Sequence, residues 1–207
     1  VLFLALPASL LLILLGEPII ALLLQRGEWT GEATAAAAWG LAFYAIGIAG
    51  HALLELLSRA FYALSDTRTP VLIGVISLMM NIILSAVFIT FIGDPNSLAR
   101  GPFAGLALSN SVTTLVEGAV LWWLLHRRLK GMHSAAVLVS TGRTGLAALV
   151  MAAAVYMVMQ FTAQAATLVT LLASGATAAL TFFGAALLLR VEEARTIPAL
   201  VLRRFKR

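Results

Sequence analysis

The sequence predicts an all-α polytopic membrane protein that crosses the bilayer six times. Three observations carry this. Hydrophobic residues make up 61% of the 207 and charged residues only 11%, with a mean hydropathy of +1.01, whereas a soluble domain runs near ~25% charged. The apolar residues fall into runs long enough to cross ~30 Å of hydrocarbon as helices. The runs also lack the period-two alternation that barrel strands of ~10 residues would need. Helices are then required, because lipid cannot satisfy an open backbone.

In chain order the spans are expected at 2–24, 34–64, 70–92, 103–126, 142–161 and 167–189. Turn-forming residues separate them: QRGEWTGE, SDTRTP, GDPNSLARGP, HRRLKGMHS and the shorter TAQAA. The second span is too long for a straight crossing, since 34–64 would extend ~46 Å at ~1.5 Å per residue. Its last turns, SRAFYALSD, are expected at the interface, where Arg59 and Tyr62 are at home. Pro70 then opens the third helix, where its missing N–H does no harm. The organisation expected is four helices over 1–130, two more over 131–190, and a basic tail over 191–207. That tail, VEEARTIPALVLRRFKR, has a composition suited either to an anionic membrane surface or to a solvated segment. Val1 lies inside an apolar run with no charged segment before it, so no signal peptide is expected, and hydrophobic sequence is expected upstream.

Loop charge sets the expected orientation. Twelve of the fourteen basic residues fall near the loops after spans two and four or in the tail, while Arg26 and Arg100 lie on the other side. Lys and Arg accumulate on the cytoplasmic side, so both ends are expected there, in a bacterial inner membrane. The net charge of +5 is accounted for by this topology, and nucleic acid is not an expected partner. There is no cysteine and no catalytic triad or carboxylate pair, so neither an enzyme nor a cofactor is expected.

A charge inside the bilayer is costly, which makes each one a functional candidate. Glu17 precedes Pro18 late in span one and reads either as a cavity-lining kink or as an interfacial carboxylate. His51, Glu55 and Arg59 share a helical stripe, with Glu N-terminal to Arg in the favourable order. Structural pairing and a gating or substrate-binding role both fit them, and Asp66 and Glu117 join that candidate set. Asn81 lies in span three, and Asn110, Thr114 and Glu117 lie on one face of span four. They suit interhelical hydrogen bonds or a polar lining. The small residues Ala173, Ala176, Ala179 and Gly184 of span six suit close helix approach or a groove for a lipid chain.

PIIALLLQRGEWT, RAFYALSDTRTPV, the mid-helix Asn of MMNIILSAVF and GPFAGLALSNS together resemble the MurJ (MviN) lipid II flippases. These belong to the superfamily of multidrug, oligosaccharidyl-lipid and polysaccharide exporters. The resemblance implies a fourteen-helix fold of which this chain supplies the last six, with an N-terminal lobe as its missing partner. It also implies alternating-access flipping of lipid-linked peptidoglycan precursor, a polyprenyl-tail groove on the last two helices, and membrane lipids as partners. By the same resemblance Asn81, Asn110 and the Leu106 carbonyl match a monovalent cation site of some relatives, although Ser85 stands where a carboxylate is expected. Another exporter of the superfamily and a non-transporting scaffold subunit are the competing readings.

Overall fold

In a computed structural model, residues 1–129, 134–191 and 193–194 are described. Six helices account for most of them: α1 Leu2–Leu24, α2 Gly31–Ala63, α3 Arg68–Phe91, α4 Ala104–Arg128, α5 Ser134–Phe161 and α6 Thr167–Leu188. All six are long and apolar enough to cross a membrane. Of the basic tail expected over 191–207, residues 192 and 195–207 lie outside the described residues.

Helix ends differ from expectation where local capping or continuation intervenes. α2 begins at Gly31 because Thr30 caps it, its hydroxyl accepting from the Ala33 N–H at 3.2 Å. α3 begins at Arg68, placing Pro70 within the first turn, where N–H groups lack helical acceptors anyway. The largest correction is α5, which starts at Ser134 rather than at 142. Hydropathy marks where a helix leaves hydrocarbon, not where its backbone stops. Thr144 on this stretch returns its hydroxyl to the Ser140 carbonyl at 2.9 Å, so the polar residues do not interrupt it.

The chain divides into two compact units. The first holds Val1 and Leu12–Met132, the second Leu2–Leu11 and His133–Arg207. Within the first, α4 is the hub and packs along both α2 and α3, which touch each other little. Backbone proximity explains the choice of glycine here. A Cβ on Gly47 of α2 would sit 2.7 Å from Ser111 Oγ and 2.8 Å from its Cα. One on Gly105 of α4 would lie 2.7 Å from the Phe88 carbonyl oxygen of α3. Small residues at such crossings let two helices meet backbone to backbone. Toward the α2–α3 corner the contact broadens into a core of Leu57 and Phe61 from α2 with Leu121 and Leu125 from α4.

In the second unit α5 and α6 pack together through Ala147, Ala148, Met151 and Val155 on one side and Ser174, Ala178, Phe182 and Ala186 on the other. The α6 set recurs every fourth residue, a single stripe. Phe3 adds an aromatic contact, its ring centroid 5.0 Å from that of Phe182.

Gly47→Val is expected to force α2 from α4 and to destabilise the protein by ~1–3 kcal/mol, the usual range for overpacking. Thermal denaturation of the detergent-solubilised protein measures this. Gly142→Ala, where no atom lies within 4 Å of an added Cβ, should leave the midpoint unchanged or slightly higher.

Candidate functional site

Polar residues in the first unit separate into two groups with different surroundings. One group joins helices. Asn81 of α3 donates from Nδ2 to Ser109 Oγ at 3.2 Å and to Thr113 Oγ1 at 3.1 Å. Ser109 donates back to the Asn81 carbonyl at 2.9 Å. On the other flank of α4, Ser111 donates to the Phe43 carbonyl of α2 at 2.6 Å. His51 Nε2 donates to Asn110 Oδ1 at 3.2 Å, a second link between α2 and α4. Thr114 spends its hydroxyl on the Asn110 carbonyl at 2.8 Å. Bonds of this kind average only ~0.6 kcal/mol in membrane proteins, so they set register more than they supply stability.

Asn81 and Asn110 take different partners, because the successive α4 residues Ser109 and Asn110 point about 100° apart. Ser109 takes Asn81 on the α3 side, and Asn110 turns its amide to His51 on the α2 side. Leu106 keeps an exposed side chain. Glu117 lies near α3, where a Cβ on Gly74 would be 3.5 Å from its Oε1. Glu17 is exposed on α1.

The second group faces outward. Glu55 and Arg59 form an ion pair along α2 with side chains 68% and 73% exposed. Tyr62, one turn on, is also exposed. An exposed pair of this spacing contributes only ~0.3–0.5 kcal/mol in water. The apolar bulk of α2 is directed at α4, so this charged stripe contributes nothing to the core.

Beyond the stripe lies the α2–α3 corner. Ser65 takes a positive φ of 59°, and its N–H donates to the Tyr62 carbonyl at 2.9 Å. The Asp66 N–H reaches back to the Phe61 carbonyl at 3.0 Å, closing the helix C-terminus in the paired pattern that ordinarily uses glycine. The Asp66 carboxylate then starts α3. It accepts from the Thr69 N–H at 3.0 Å and the Thr69 hydroxyl at 2.6 Å. Arg128, at the end of α4, closes the corner with Nη1 2.5 Å from Asp66 Oδ2, and its guanidinium lies 5.7 Å from the Phe61 ring centroid. Three helix ends meet on one carboxylate. The Thr69 hydroxyl and N–H, and then Arg128, hold the Asp66 carboxyl at about 2, below its usual 3.8. A depressed carboxyl stabilises the fold above its ordinary value, and that contribution is lost only as pH falls through about 2. Sequence spacing signalled Asp66 but not Arg128, which is distant along the chain and reaches the corner only through the packing of α4 on α2.

On α6, Ala176, Ala179 and Gly184 are exposed and Ala173 is half-buried. No atom lies within 4 Å of a Cβ built on Gly184. The close approach to α5 uses the neighbouring Ser174 stripe instead.

Asp66→Ala is expected to lower the thermal midpoint more than Asp66→Asn, which retains an acceptor for Thr69. Added Arg128→Gln should cost little further in the alanine background, because the two share one interaction. The Asp66→Ala deficit should stay constant from pH 5 to pH 8, well above the carboxyl's titration near 2; denaturation across that range measures it.

A family model described as lipid II flippase MurJ matches residues 1–177. A probable lipid II flippase MurJ of Vibrio cholerae is 34% identical over 131 residues, covering 63% of this chain and 23% of the relative. One from Rhizobium meliloti is 32% identical over 162 residues, covering 78% and 29%. The chain therefore spans about a quarter of the length of these curated relatives. A solved structure, lipid II flippase MurJ in an inward closed conformation, shares the fold with a TM-score of 0.69 at 23% identity, over 91% of this chain and 37% of that one. The family match takes in most of the six-helix architecture, and the chain belongs to the lipid II flippase MurJ family.

Proposed function

We propose that these six helices take part in flipping lipid-linked peptidoglycan precursor from the inner to the outer leaflet by alternating access. The observation that carries this is the family match over residues 1–177, which runs through all of the first unit's helices and into α6. The chemistry is transport rather than catalysis. The basic residues on the loops after α2 and α4 support an orientation with the C-terminus in the cytoplasm. Asp66 then sits at the cytoplasmic end, where a carboxylate shared by three helix ends is suited to gating. The Asp66→Ala protein should lose transport beyond its loss of membrane abundance.

Among the described residues of the first unit, Arg59 is the basic residue set deepest in α2 and is already paired with Glu55, while Arg68, Arg127 and Arg128 lie at helix ends. A cavity that holds a pyrophosphate needs more positive charge than this, which further helices of the kind found in the longer relatives would provide. The exposed Ala176, Ala179 and Gly184, with half-buried Ala173 beside them, support a role for α6 in holding the polyprenyl tail, since no described atom lies within 4 Å of a Cβ built on Gly184.

Reconstituted alone in vesicles, the 207 residues should move no lipid II headgroup above the empty-vesicle rate. A chain of the relatives' length that carries these residues should do so. Inserted full-length protein that moves none overturns the flippase reading, and translocation by the 207 residues alone overturns the need for further helices. Ala176→Trp in the full-length protein should cut photo-crosslinking of a polyprenyl probe to α6 several-fold, without shifting the thermal midpoint. Labelling that avoids α6 or ignores the substitution would remove the tail groove.

A further inference from the structure

We propose that Glu55 and Arg59 form an exchangeable ion pair, in which Arg59 binds the phosphate-bearing headgroup of the lipid substrate and Glu55 holds its place when the site is empty. The proposal rests on the lipid-substrate reading above and adds a binding residue to it.

The first observation is the direction of the pair. Both side chains are well exposed on the flank of α2 that no helix of the first unit covers. Ionised groups do not face hydrocarbon at this depth without a partner or water. α2 has 33 residues and extends ~50 Å, against ~30 Å of hydrocarbon. Arg59, one turn from the end of α2, therefore sits near headgroup level, and Glu55 lies one turn deeper. Exposed Tyr62 flanks Arg59 toward the helix end.

The second observation is that Arg127, Arg128 and His51 are each engaged by groups other than this pair. Arg128 is held by Asp66 and lies over Phe61. Arg127 stacks on Trp123, with its guanidinium carbon 3.9 Å from the ring centroid. His51, one turn before Glu55, is engaged with Asn110 of α4. Glu55 is thus left to Arg59, and the two are joined only by a weak, exposed, same-helix contact. A phosphate outcompetes such a partner because it accepts two parallel guanidinium N–H bonds and carries more charge. Once displaced, the Glu55 carboxylate stands one turn deeper and repels the anion, which keeps the phosphate at the level of Arg59. When the ligand leaves, the pair re-forms, and no uncompensated cation is left on the helix.

The test is binding of lipid II to the purified full-length protein, with undecaprenol as a probe that has the tail but no phosphate. Arg59→Gln should weaken lipid II binding by about tenfold, and Arg59→Lys, which keeps the charge but loses the paired N–H bonds, should recover only part of that loss. Undecaprenol binding should be unchanged by either. Glu55→Gln, which frees the cation, should tighten lipid II binding by about threefold. If Arg59→Gln fails to fold, Glu55→Gln decides alone: tightening supports the exchange, and weaker or unaltered binding overturns it. Lipid II affinity indifferent to both substitutions, or a loss shared equally with undecaprenol, also overturns it. Unaltered protein that does not bind lipid II overturns the functional reading instead.

Discussion

Backbone contact at the α4 crossings is the constraint on which the first unit depends. Lipid offers no hydrophobic drive for one apolar helix to choose another, so association rests on close packing and short polar links. Gly47 and Gly105 remove the side chains that would hold α2 and α3 away from α4. Only at that separation can a side chain as short as serine reach a neighbouring carbonyl, as Ser111 does with Phe43 and Ser109 with Asn81. Glycine placement and hydroxyl placement are two parts of one requirement.

That requirement sorts the polar residues by role. Ser109, Asn110, Ser111 and Thr113 of α4 are used for cohesion, each with a donor or acceptor on a neighbouring helix, while Thr114 bonds within its own helix. The ionisable residues of α2 are different, because Glu55 and Arg59 contribute nothing to the core and face away from it. Paired with each other near the end of a helix longer than the bilayer, they suit the level of the interface.

The corner between α2 and α3 solves a different problem. A helix longer than the bilayer has to end outside hydrocarbon, reverse, and start the next helix with few residues. Ser65 adopts the left-handed conformation that closes α2, and Asp66 satisfies the first turn of α3. Because Arg128 joins the same carboxylate, the end of α4 is tied to this reversal. Movement of any one of the three ends has to be accommodated by the others, which makes the corner suitable for transmitting a conformational change.

The number, type and approximate limits of the helices were determined by the sequence alone, because a ~20-residue apolar run has one solution in lipid. The i,i+4 pairing of Glu55 with Arg59 and the opening of α3 at the turn-forming DTRTP segment were likewise legible, since both depend only on helical periodicity and local turn chemistry. Tertiary structure alone decided that Asn81 and Asn110 address different helices, since a residue's neighbours depend on which face each helix presents. It alone brought Arg128 to Asp66 across a long stretch of chain. It also separated the two small-residue faces of α6: Ser174, Ala178 and Ala186 meet α5, while Ala176, Ala179 and Gly184 remain open. Composition treats all six as equivalent, because only the rotation of one helix against another determines which small side chains are covered.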